Sequence, residues 1–188
     1  MHIDECTKFL EKARKSAKAK ELLKFLNAAD TGGDGVKLLC RKCPNEGPQK
    51  FAKAYFASPP HEMVVCHNRV KTIEQIEKSV IHEMIHAVDY VARDMNLLEC
   101  KMLACSEIRA ARGAECASEY LTKAELLLRN FDIFRGKSLM EECVQDQARR
   151  ATETMFPETG RDTVDEMMGQ CFADHTGFDV HVERQDSV

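Results

Sequence analysis

Apolar positions in the first part of the chain (Phe9, Leu10, Ala13, Ala17, Leu22, Phe25 and Leu26) recur near a helical spacing, which predicts one amphipathic helix over residues 3–27. The pattern stops at NAADTGGDG, where Gly32, Gly33 and Gly35 are turn residues. Three short apolar runs follow: VKLLC (36–40), FAKAYFA (51–57) and MVVC (63–66). CPNEGP and SPPHE, rich in proline and glycine, separate them, so the runs predict a small antiparallel sheet. From Thr72 the period is helical again. Thr72 with Gln75 reads as a capping box, and IEQIEKSVIHEMIHAVDYVARDM continues without glycine or proline. Further helices are expected over about 101–111, 115–129, 138–155 and 162–173, broken at Gly113, Gly136 and Pro157–Gly160. The polar tail after Gly177 reads as frayed. The plan is α+β and mostly helical, one domain over 1–188. It has an N-terminal helix within 1–30, a small sheet within 36–66, a helical part over 72–175 and a tail at 177–188.

Composition narrows the class. At 188 residues, the chain is long enough to bury a real core, and 44% hydrophobic with 31% charged residues is an ordinary soluble balance. The net charge of −4 supplies no basic field, so nucleic acid is not expected as a partner. A basic run from Lys12 to Lys24 reads as a solvated helix face, with contact to anionic lipid or a targeting role as the alternative. No window approaches the ~18 apolar residues of a membrane span, so any membrane association is expected to be peripheral. The opening MHIDECTKFL has neither the apolar stretch of a secretory signal nor the character of a transit peptide. Nine cysteines suit disulfides in an oxidising compartment, a structural metal or inert buried thiols, and their odd number leaves at least one unpaired.

The chemistry concentrates in VIHEMIHAVDY (80–90). On a helix, residues four apart share a face with Cβ atoms ~6 Å apart, so His82 and His86 can grip one zinc ion. Glu83 lies ~100° around the helix from His82, which suits a base for water at the metal rather than a ligand. Two histidines and a glutamate among Val80, Ile81, Met84, Ile85, Ala87 and Val88 would be costly to bury without partners. His61-Glu62 also reads HEM, but Val65 stands where a second histidine is needed, and a surface turn accounts for it. A third ligand must come from elsewhere. Ala92, ten residues after His82, excludes the metzincin pattern. A gluzincin pattern draws a glutamate from the next helix, and Glu107 in ACSEIRAA stands 21 residues after His86. Asp89 is the rival: it shares the histidines' face, as an alternative ligand or as the partner that orients a histidine's second nitrogen.

HEMIHAVD (82–89) followed by LACSEIRAA (103–111) resembles the mitochondrial inner-membrane metalloprotease family that matures ATP synthase subunit 6, also called the Ku-autoantigen-binding protein 3 family. The likeness extends to Cys40/Cys43, VVCHN (64–68), Glu115-Cys116, Cys143-Val144 with Arg149, and VDEMMGQCFADHTGF (164–178), and so covers about residues 35–180. It implies a zincin-like endopeptidase with one Zn2+ per chain, His82 and His86 as ligands and Glu83 as base. It also implies an intermembrane-space location with peripheral attachment to the inner membrane. The implied partners are the subunit 6 precursor, whose presequence is removed, and assembly intermediates of the ATP synthase membrane sector. The same resemblance implies disulfides among Cys40, Cys43, Cys66, Cys105, Cys116, Cys143 and Cys171, in preference to a zinc knuckle at Cys40, Cys43, Cys66 and His67. Two departures stand out: DYVARD lacks a cysteine common soon after the motif aspartate, and Cys100 is extra. A non-proteolytic assembly chaperone and a nuclear Ku-binding protein are the alternatives.

Overall fold

The computed structural model describes residues 1–29, 35–47, 49–117 and 138–176. Helices α1 (Ile3–Ala13) and α2 (Ala17–Ala28) replace the single helix expected over 3–27. The buried residues explain the break. Cys6, Leu10 and Ala13 face inward from α1, and Ala19, Leu22 and Leu26 from α2. In an unbroken helix at about 100° per residue the two sets would point in roughly opposite directions. Ser16 caps α2 by accepting from the Ala19 amide at 3.4 Å, and the interruption turns both sets onto one core. Within the basic run, Lys12, Lys15, Lys20 and Lys24 are exposed, whereas Lys18 donates to the Gly113 carbonyl at 2.9 Å.

The sheet has three strands, β1 (Lys37–Arg41), β2 (Ala54–Ala57) and β3 (Glu62–Cys66), in the order β1-β3-β2. It is mixed rather than antiparallel. β2 and β3 form an antiparallel hairpin, but β1 runs parallel to β3 with Cys40 opposite Val65 and Arg41 opposite Cys66. The Cys43–Cys66 disulfide joins the C-terminal ends of β1 and β3, which only the parallel register brings together. β3 is paired on both edges and buried from Met63 to Cys66, as its unbroken apolar run requires.

Helix α3 (Ile73–Ala87) is capped by Thr72, which accepts from the Gln75 amide at 3.2 Å. The Gln75 side chain accepts from the Lys71 amide at 2.8 Å instead of closing the box on Thr72. The helix does not continue to Met95. It widens into a π-helical turn, Val88–Ala92, in which Asp89 is fully buried. Helix α4 (Cys100–Gly113) is buried on all sides from Leu103 onward, so it must lie inside the molecule. It packs against α3 and against α5 (Leu139–Met155) and α6 (Gly160–Ala173). Two hydrophobic clusters result. One joins α1, α2, the sheet and α3; the other joins α4, α5 and α6, and α4 also lends Ala110 to the first. The expected helix at 115–129 falls almost wholly outside the described residues, and the tail at 177–188 does so entirely. Among the described residues, no helix is long and apolar enough to cross a membrane.

Four disulfides staple these layers: Cys6–Cys40, Cys43–Cys66, Cys105–Cys171 and Cys116–Cys143. Cys6, absent from the expected set, is the partner of Cys40. The pairing removes the zinc-knuckle alternative, because Cys40, Cys43 and Cys66 are all committed. Cys100 is the free thiol. Closing loops of 23 to 66 residues constrains the unfolded chain by roughly 3–4 kcal/mol per bridge in the chain-entropy account.

The C-terminal end of α6 is tied to α4 by buried cations. Arg112 donates to the Phe172 carbonyl and, at 2.8 Å, to the Asp174 carbonyl; Arg109 donates to the Thr176 carbonyl. The Asp174 carboxylate accepts from Arg93 at 2.8 Å and from the Thr176 amide at 2.9 Å. His175 is exposed.

Two outcomes are expected. A Cβ at Gly160 would stand 2.8 Å from the Glu153 backbone nitrogen, so Gly160→Ala should lower unfolding free energy by about 1–3 kcal/mol in urea titration. An unchanged midpoint would refute that contact. Burial alone would raise the Asp174 carboxyl, but the Thr176 amide and the Arg109 and Arg93 guanidiniums hold it down at about 2. A depressed carboxylate stabilises fully above its ordinary value of 3.8, and that contribution fades as pH falls toward 2. Asp174→Asn should therefore flatten the acid limb of stability between about pH 4 and 2. A limb as steep as in the unaltered protein would count against the assignment.

Candidate metal centre

The site lies where α3 meets α4. His82 and His86 stand one helical turn apart on α3, with ring centroids 4.8 Å apart. α4 carries Glu107 across from them. His82 Nε2 is 3.3 Å from Glu107 Oε2, and His86 Nε2 is 3.5 Å from Glu107 Oε1. One potential donor atom from each residue lies within 4.8 Å of the others, and among the described residues this is the one such group of three. His61 stands apart from it, stacked on Phe56, and Glu62 pairs with Arg41.

Each imidazole is held from behind. His82 Nδ1 is 3.0 Å from Glu115 Oε2, in the turn after α4. His86 Nδ1 is 2.7 Å from Ser106 Oγ, and Ser106 donates to Asp89 Oδ2 at 2.8 Å. Asp89 in turn accepts from Arg93 at 3.0 Å and contacts the fully buried Arg109. Asp89 therefore stands outside the group of three and reaches His86 only through Ser106. Arg109 turns toward Asp89 and Asp174, so it does not pair with Glu107, its neighbour two residues away.

Sequence reasoning assigned no role to Ser106 or Glu115. A signal existed for the first: Ser106 is a polar residue in an otherwise apolar stretch, directly before Glu107. Glu115 lies beyond the helix, and its one mark in the sequence is the Glu115-Cys116 pair within the family resemblance.

The electrostatics follow from burial. Burial pulls the His82 imidazole down, but the Glu115 and Glu107 carboxylates outweigh it and hold His82 well above its ordinary value. Burial wins at His86, which falls to about 4 despite Glu107. Burial would raise Glu107, yet His86 and His82 bring it below the usual carboxylate range. Glu115 is likewise lowered, because His82 overcomes its burial. Glu83 goes the other way. Burial pushes it up to about 7, opposed by His82 and by a hydrogen bond from the Phe56 amide.

These residues border a cavity of about 570 Å³ whose apolar wall includes Tyr55, Phe56, Leu97, Leu103 and Met155. Strand β2 lies along it and leaves one edge without a strand neighbour among the described residues.

The donor set fits a divalent metal. Glu107 Oε2 is buried without a well-directed hydrogen-bond partner, and it faces His82 Nε2. A carboxylate and two imidazole nitrogens aimed at one point need a proton or a cation between them. Two imidazoles, each engaged on its far side, form with one carboxylate a set that leaves a coordination position open.

Comparison with known proteins places the chain. A family model described as the Peptidase M76 family matches residues 4–179. A Xenopus laevis protein named "Mitochondrial inner membrane protease ATP23 homolog" is 33% identical over 129 residues, which cover 65% of this chain and 52% of that one. A Saccharomyces cerevisiae (strain ATCC 204508 / S288c) protein named "Mitochondrial inner membrane protease ATP23" is 28% identical over 163 residues, covering 84% of this chain and 68% of that one. Its namesake in Lodderomyces elongisporus is 27% identical over 147 residues, covering 76% and 56%. The matched region thus spans about half to two-thirds of the length of these relatives. No solved structure matches. With a family model covering nearly all of its length, and with His82, Glu83 and His86 lining its cavity, the chain belongs to the Peptidase M76 family.

Proposed function

We propose that the chain is a zinc-dependent endopeptidase in which His82, His86 and Glu107 hold one zinc ion and Glu83 is the general base. The convergence of those three donors on one point beside Glu83, in a cavity bordered by an edge strand, carries the reading. Bound there, zinc would polarise the scissile carbonyl and make a water molecule more acidic. Glu83 takes the proton of the attacking water and delivers it to the leaving amine nitrogen. A carboxyl poised near neutrality suits both transfers. The β2 edge can pair with an extended peptide, while the apolar wall receives its side chains.

The names of the relatives support a mitochondrial inner-membrane setting. Four disulfides suit an oxidising compartment, consistent with the intermembrane space. Within this reading, attachment to the inner membrane is peripheral and the substrate is the precursor of ATP synthase subunit 6. Assistance to membrane-sector assembly accompanies the cleavage.

Glu83→Gln separates these activities. It should retain about one zinc per chain by elemental analysis while precursor cleavage falls by roughly 10²–10⁴-fold. Glu107→Ala should instead lose the metal. Cleavage by the Glu83→Gln protein at the unaltered rate would sink the catalytic assignment. Restoration of ATP synthase assembly by the same variant would show that the assembly role does not need proteolysis.

A further inference from the structure

Ser106 lies in the middle of α4 with no exposed surface, between one histidine of the centre and a buried aspartate. Its Oγ is 2.7 Å from His86 Nδ1 and 2.8 Å from Asp89 Oδ2. A hydroxyl carries a single hydrogen. Asp89 is kept ionised by two guanidiniums, Arg93 at 3.0 Å and Arg109 in direct contact, and an ionised carboxylate only accepts. The Ser106 hydrogen is therefore committed to Asp89, and only the oxygen lone pairs remain for His86. His86 Nδ1 must be the donor in that contact. Its Nε2 is then a bare lone pair, aimed where Glu107 Oε1 lies 3.5 Å away.

We propose that Ser106 is a positioning residue: it fixes the tautomer and ring plane of His86, and a buried brace backs it through Asp89, Arg93 and Arg109 to Asp174 at the end of α6. The brace is continuous. Arg93 bridges Asp89 at 3.0 Å and Asp174 at 2.8 Å, and Arg109 Nε lies 3.6 Å from Asp174. The two histidines are thus oriented by different chemistry. His82 donates to a half-buried carboxylate at the cavity wall, and His86 to a neutral hydroxyl that takes its direction from a carboxylate one bond further away. The arrangement also gives Asp174, within VDEMMGQCFADHTGF, a task in the centre without contact to the metal. The inference rests on the reading of His86 as a zinc ligand.

The test uses the zinc-loaded full chain with 15N-labelled histidine. Long-range proton–nitrogen spectra should show His86 coordinated through Nε2, with an Nδ1 proton protected from exchange with water. Coordination through Nδ1, or a freely exchanging Nδ1 proton, would overturn the proposal, and this measurement needs no variant. Ser106→Ala should expose that proton to exchange and weaken zinc binding by about 10–100-fold in competition with a chelator. The visible absorption bands of the cobalt-substituted variant should shift as well, because the ring is free to tilt. Should either the proton protection or the affinity match the unaltered protein, the role of Ser106 falls. Failure of the unaltered chain to bind zinc would instead remove the reading of the centre itself.

Discussion

An ionised aspartate with no exposed surface, Asp89, sets the terms for everything around it. A charge in that position costs several kcal/mol unless it is paired and fully hydrogen-bonded. Its carboxylate accepts from Ser106 and Arg93 and contacts Arg109, so three elements must converge on it: the π turn, α4 and, through the same arginines, the end of α6. Asp89 lies on the histidines' face, at the start of a wider turn in which the Arg93 amide bonds the Val88 carbonyl at 3.1 Å. The charge network and the histidine-bearing helix α3 are therefore one construction, since His86 is three residues before Asp89.

Much of the fold was legible because its signals are local. Periodicity over 72–87, the Thr72 cap, the breaks at Gly113 and Pro157 and the Ser138 start of α5 are written within a few residues of where they act. The misreadings are non-local. Apolar spacing over 3–27 suits a helix throughout, and only the common core decides that Leu10 and Leu22 must face the same way. Three short strands in a row suggest a meander, whereas the link from Cys43 to Cys66 belongs to a parallel pair. Cys6 lies outside every motif and is joined to Cys40 by packing of α1 on β1.

The centre divides in the same way. The pairing of His82 with His86 follows from the geometry of a single helix, whereas the sequence leaves Glu107 and Asp89 as rivals for the facing carboxylate, and it is Glu107 that packing of α4 on α3 groups with the histidines. The tasks of Ser106 and Glu115 are not legible in the sequence because their meaning is relational: each matters for the far nitrogen of a histidine 20 or 33 residues away. A spacing rule describes which side chains can meet within an element. It has no means of counting the hydrogens of a hydroxyl shared by two partners on different elements.

The two backings also explain why the histidines, alike in sequence, differ in charge. Two carboxylates close to His82 overcome its burial and favour its charged form, while a neutral hydroxyl behind His86 leaves burial dominant. The nitrogens that face Glu107 are thereby aimed from behind, His82 by Glu115 and His86 by Ser106, so a divalent ion bound there would meet ligand directions set in advance. The shape of the site is thus held by groups outside the three candidate ligands, and they stand on the inner helix α4 and the turn that follows it.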